Sequence, residues 1–183
     1  MVQTPISVSS DGEWLSFFES GATGGGDVMA LRLTGDLAVR PLVQTPALES
    51  NGQISPDGRW LAYLSDRPGR FELYIQRFPD PGPATQVSVG GAQEPRWSRD
   101  SRELFYVPPS GDRLMVVTIA PSARLTVGQP RVVYEGAYKG STTGNTPYDI
   151  SRDGTRFLRS QPTQPGGPVT RLEVLLNWRP VGK

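Results

Sequence analysis

The chain has 183 residues, 36% of them hydrophobic and 20% charged, with 19 Lys and Arg against 18 Asp and Glu and a formal net charge of +1. A balance this even supplies no electrostatic footprint for nucleic acid or an anionic membrane, and the length suits one globular domain. Cysteine and histidine are both absent, which excludes disulfides, thiolate catalysis and cysteine-ligated zinc, and removes the commonest general base together with every Ser-His-Asp or Cys-His arrangement.

The opening residues, Met1 to Ser7, have neither the basic start nor the apolar centre of a signal peptide, and no stretch approaches the ~18 apolar residues of a membrane span. No direct membrane insertion by this segment is expected. Because a strand pattern begins at once, Met1 is expected to start a fragment, with any targeting address lying upstream.

Ser-x-Asp-Gly followed by an apolar run occurs four times and organises the sequence. Val8-Ser9-Ser10-Asp11-Gly12 precedes Trp14 to Phe18, and Ile54-Ser55-Pro56-Asp57-Gly58 precedes Trp60 to Leu64. Two less regular copies follow, Trp97-Ser98-Arg99-Asp100-Ser101 before Leu104 to Val107, and Ile150-Ser151-Arg152-Asp153-Gly154 before Phe157-Leu158. The aspartates at 11, 57, 100 and 153 are 46, 43 and 53 residues apart, a period that suits a four-stranded propeller blade.

The second copy shows the parts in order. A short strand around Gln53 to Ser55 leads through the Pro-Asp-Gly turn into a strand from Arg59 to Leu64. The turn signal Asp66 to Arg70 then leads to a strand from Phe71 to Phe78, Pro79 to Ala84 break the pattern, and Thr85 to Val89 supply a fourth strand. Apolar residues on consecutive positions, as at Trp60-Leu61, require both faces of such a sheet to be covered, which stacked blades achieve. With 18 prolines and 21 glycines, no window of three turns keeps a helical apolar stripe.

The repeated aspartates could be read as a calcium cluster, but turn chemistry explains them better. A short carboxylate accepts backbone N–H bonds within the turn, Pro56 presets φ, and the following glycine tolerates positive φ. Ser9, Ser55, Ser98 and Ser151 belong to the same turns, since a nucleophilic serine would lack a base. The Gly21 to Gly26 loop lacks phosphate-binding glycine spacing and joins two strands. No metal, cofactor or catalytic residue is assigned. Trp14, Trp60, Trp97 and Trp178, with Met29 and Met115, are assigned to packing between blades.

The stretch Ser55-Pro56-Asp57-Gly58-Arg59-Trp60-Leu61-Ala62-Tyr63 resembles the PD-type propeller repeats of TolB and its relatives, and Gly90 to Asp100 with Glu103 to Tyr106 behind it is similar. The resemblance covers nearly the whole chain. More narrowly, Gly128-Gln129-Pro130-Arg131 before Val132-Val133-Tyr134, with a closing Leu175-Leu176-Asn177-Trp178, resembles the C-terminal sensor propeller of bacterial serine/threonine kinases. That resemblance implies a kinase domain and a membrane span upstream, and a place in the cell envelope or on its periplasmic face. The chain departs from the pattern where Ser101 replaces glycine and where Arg99 and Arg152 replace proline.

The expected fold is therefore all-β, a propeller segment of four-stranded antiparallel meander blades at approximately 5–46, 52–90, 94–135 and 147–178. Three blades are complete. The fourth has three strands (Tyr148 to Ser151, Arg156 to Ser160, Arg171 to Trp178), and residues before Asp11 are already used in the first blade, so an open arc of a ring of about six to eight blades is expected. Expected partners are the remaining blades of the parent propeller and a protein or peptide. The long connection holding Tyr138, Lys139 and Asn145 is one candidate interaction surface, and Arg67, Arg70 and Tyr74 of the second copy are another. A non-catalytic interaction or sensor propeller is the leading function. The alternative is the gating propeller of a prolyl-oligopeptidase-type serine peptidase, which would run on into a nucleophile elbow and a later histidine.

Overall fold

The computed structural model describes residues 2–21, 24–120, 122, 124–136, 148–151, 153, 154, 156–161 and 171–175, with backbone alone at 159–161 and 171–175. Every regular element among them is a β-strand. The first sheet is β1 (Gln3–Val8), β2 (Trp14–Ser20), β3 (Gly26–Arg32) and β4 (Val39–Val43). The second is β5 (Glu49–Ile54), β6 (Trp60–Ser65), β7 (Glu72–Arg77) and β8 (Thr85–Gln86), and the third is β9 (Gln93–Trp97), β10 (Glu103–Val107), β11 (Arg113–Thr118) and β12 (Arg131–Glu135). The fourth has β13 (Tyr148–Ile150), β14 (Phe157–Gln161) and β15 (Arg171–Leu175). Each sheet is an antiparallel meander in chain order.

The sheets stack because the second strand of each is apolar on both faces. All six residues of β6 are buried. Leu61 and Tyr63 pack toward the first sheet with Val28, Ala30, Leu42 and Val43, whereas Trp60, Ala62 and Leu64 pack toward the third with Trp97, Leu104, Tyr106 and Val117. The next interface repeats the arrangement, with Phe105, Val107, Leu114 and Val116 against Tyr148 and Phe157. This is an arc of a β-propeller, three four-stranded blades and a three-stranded fourth, and among the described residues the fourth blade does not pair with the first.

Three of the tryptophans sit between blades as expected. Trp14 meets Phe78 of the second blade edge-on at 5.9 Å, Trp60 is buried against the third, and the Trp97 indole N–H donates to the Gln53 carbonyl at 3.0 Å. Trp178 lies outside the described residues.

Two strand limits differ by more than one residue from the sequence reading. β5 begins at Glu49, earlier than expected, because the chain pairs through a bulge at Asn51 and Gly52, with Asn51 at φ +52°. β8 stops at Gln86 rather than Val89, because the Ser88 hydroxyl takes the Leu73 N–H at 2.8 Å where a ladder carbonyl would otherwise accept it.

Candidate functional site

The Ser-x-Asp-Gly segments form one turn, built four times. In each, the serine hydroxyl donates to the aspartate Oδ1, at 2.5 Å for Ser9, 2.6 Å for Ser55, 2.7 Å for Ser98 and 2.5 Å for Ser151. The same hydroxyl oxygen accepts an N–H at the entry to the next strand, from Trp14, Trp60, Glu103 and, one residue before β14, Arg156, at 2.9–3.0 Å. Serine and aspartate are thus occupied in holding the hairpin. The turns also join their neighbours, since the Ser10 hydroxyl donates to the Pro56 carbonyl at 2.6 Å.

Before each of the first three turns the inner strand carries a bulge. The β1–β2 register shifts between Pro5 and Ser7, the β5–β6 register between Ser50 and Gln53, and the β9–β10 register between Phe105 and Val107. A bulge bends its strand and re-aims the side chains that follow. Those side chains line a cleft of about 750 Å³ along the inner strands, at the end of the blades that carries the turns.

The cleft is built from matching positions of all four copies. Four residues before the anchor aspartates stand Ser7, Gln53, Arg96 and Asp149, and three before stand Val8, Ile54, Trp97 and Ile150; all eight line it. Ser10, Pro56 and Arg99, one residue before, complete the mouth. The turn residues repeat while these positions vary, so the same scaffold presents a neutral wall from the first two blades, two arginines with the Asp100 carboxylate from the third and the Asp149 carboxylate from the fourth. No signal within one copy marks these residues; aligning the four copies on their aspartates does.

Of the surfaces suggested by the sequence, Tyr138, Lys139 and Asn145 lie outside the described residues. Arg67, Arg70 and Tyr74 all lie on the β6–β7 hairpin, outside the residues that line the cleft, and of the three only Arg67 and Tyr74 are in contact. The Tyr74 ring is buried, stacked on Tyr63 at 5.7 Å and covered by the Arg67 guanidinium at 3.6 Å from its centroid. Arg70 is exposed and donates to the buried Glu72 carboxylate at 2.8 Å. Among the described residues no group of three or more acidic side chains is placed to hold a metal ion.

No protein-family model matches the chain, and no curated protein does. Solved structures do. TolB from Acinetobacter baumannii superposes with a TM-score of 0.68 at 18% identity, over 95% of this chain and 40% of that one. A TolB candidate from Agrobacterium tumefaciens gives 0.61 at 16% identity, over 76% of this chain and 52% of that one. The fold is that of a TolB-like β-propeller. Acylaminoacyl peptidase from Pyrococcus horikoshii also superposes, with a TM-score of 0.57 at 13% identity over 97% of this chain and 33% of that one. The chain spans about half or less of each of these proteins, and at such identities the likeness establishes fold alone.

Proposed function

We propose that this TolB-like segment is a non-catalytic interaction or sensor module that takes a protein or peptide partner in the axial cleft. The observation that carries this reading is the cleft's construction, in which matching positions of four copies converge and differ in side chain while the surrounding turns do not. Every serine that could suggest a nucleophile is bonded to its own turn aspartate, and the chain has no histidine or cysteine to activate one. The segment acts as part of a larger bacterial protein, and the sequence resemblance around Gly128 to Tyr134 supports a serine/threonine kinase as that parent. A kinase domain in the neighbouring coding sequence is the expected finding; a hydrolase domain following the segment would overturn the assignment.

The absence of cysteine gives a direct test of the cleft. Peptides selected from a random library on the native chain should lose binding when a bulky maleimide adduct is placed on Ser10→Cys, and keep it when the adduct sits on Val89→Cys, which is 89% exposed in the native chain and outside the cleft. Binders that ignore the Ser10 adduct but respond to changes at Arg67 and Arg70 would move the interface to the β6–β7 hairpin.

A further inference from the structure

Resting on the reading of the axial cleft as the binding surface, we infer that the cleft selects a carboxylate, presented as an acidic side chain of a partner polypeptide, and that Arg96 receives it. Arg96 projects from β9 between Pro95 and Trp97 and is half-buried. Its Nε is shielded from solvent and has no hydrogen-bond partner, and among the described residues Arg96 forms no ion pair. A guanidinium carries five donors and does not shed its proton, so one drawn partly out of water without an acceptor is unfavourable until an anion arrives.

The acceptors already in the cleft do not meet that demand. The Asp100 carboxylate is held by the Ser98 hydroxyl at 2.7 Å and the Arg102 N–H at 3.1 Å. Asp149 accepts the Ile150 N–H at 2.9 Å and makes no ion pair with Arg96. A second guanidinium, Arg99, is exposed at the mouth on the same blade. Two forked cations on one wall match a carboxylate, and Asp149, four residues before its own anchor as Arg96 is before Asp100, would repel an acidic group displaced toward the fourth blade. The opposite wall offers Val8 and Ile54 as apolar surface and Ser7 and Gln53 as hydrogen-bonding groups. A space of about 750 Å³ exceeds a lone small acid and suits several residues of an extended segment.

The test uses three fluorescein-labelled capped peptides on the native chain: Gly-Ser-Val-Asp-Val-Ser-Gly, and the same sequence with Asn or Lys replacing the Asp. The Asp peptide should bind at least about tenfold more tightly than the Asn peptide, the Lys peptide most weakly, and added salt should narrow the gap, as expected for a charge-assisted contact. Arg96→Gln should abolish the preference and Arg96→Lys should retain part of it, with circular dichroism confirming that both variants fold. Equal affinity of the native chain for the Asp and Asn peptides overturns the proposal without reference to any variant. If that equal binding is blocked by the Ser10→Cys adduct, the cleft remains a peptide site and only carboxylate selection falls; if the adduct has no effect, the cleft reading falls with it. Tighter binding of free galacturonate than of the Asp peptide, lost in Arg96→Gln, would assign the carboxylate to a small molecule and overturn the polypeptide source.

Discussion

The backbone N–H of Asp57 donates to the hydroxyl of Ser101 at 2.9 Å, tying the turn of the second blade to that of the third. Ser101 stands where the other copies have Gly12, Gly58 and Gly154, and it keeps their left-handed backbone, with φ +60° against +69° to +73°. The interblade bond offsets the strain that a side chain brings to this region. Ser101→Ala keeps the strain and removes the acceptor, so it should destabilise by about 1–2 kcal/mol. Ser101→Gly removes both together and should be milder by about 1 kcal/mol. Denaturant midpoints at constant slope check this ordering, and coincident midpoints for the two variants would contradict it.

Stability should fall on acidification because the turn carboxylates sit below their ordinary value of 3.8. For Asp11 the Ser9 hydroxyl is the main cause. Burial alone would raise Asp57 and Asp100, but the Ser55 hydroxyl and Arg59, and the Ser98 hydroxyl and the Arg102 N–H, outweigh it. A carboxylate lowered in the folded state contributes stability that is full above its unfolded value and is lost as pH falls through the folded one. The loss therefore lies below pH 3.8. Glu103 works the other way, raised above 4.5 by burial that Arg131 only partly offsets. Unfolding midpoints should hold down to about pH 4 and drop below it, and Asp57→Asn with Asp100→Asn should flatten that acidic limb.

The blade count and the turns were legible because each copy states them locally, through a period, a Ser-x-Asp-Gly signature and a strand apolar on both faces. Even the departures held the pattern: Arg99 and Ser101 leave the third turn intact, with the Ser101 N–H donating to the Ser98 carbonyl at 3.0 Å as Gly58 does to Ser55 at 2.8 Å. The cleft was not legible in the same way. Its residues look like ordinary strand positions, and what makes Ser7, Gln53, Arg96 and Asp149 neighbours is the stacking of four blades rather than any spacing within one. Tyr74 shows the converse limit, since an aromatic and two arginines around a hairpin look like an anchor until Tyr63 and Arg67 are seen to enclose the ring.

Glu72 should be among the least replaceable side chains of the second blade. It is 1% exposed, and its carboxylate accepts the Ser88 hydroxyl at 2.5 Å, the Arg70 Nε–H at 2.8 Å and the N–H groups of Gly90 and Gly91 at 3.0 and 2.9 Å. Burial opposes its charge, yet these donors hold its pKa below 4.5. Glu72→Gln leaves at least one of them facing an amide donor and should cost about 1–3 kcal/mol. Arg70→Ala removes only the exposed partner and should cost about 1 kcal/mol or less. Thermal unfolding of the two variants separates these cases, and an Arg70 loss equal to the Glu72 loss would show that the carboxylate depends on that one ion pair.

Gly52 fixes how closely the second blade approaches the first. A Cβ built there would lie 2.3 Å from the Val28 Cγ1, and Val28 is fully buried. The Ser16 hydroxyl also donates to the Gly52 carbonyl at 2.6 Å, so the bulged strand cannot retreat without breaking an interblade bond. Gly52→Ala should therefore destabilise by about 1–3 kcal/mol through overpacking. Val28→Ala alone leaves a void and should also destabilise, but in the Gly52→Ala background the smaller side chain makes room for the new methyl. The double variant should be more stable than the sum of the two losses predicts, a coupling of at least about 0.5 kcal/mol that a double-mutant cycle can measure. Strict additivity would mean that the blades separate to admit the methyl, and the stacking that brings the four inner strands together around the cleft would then be looser than the contact at Val28 indicates.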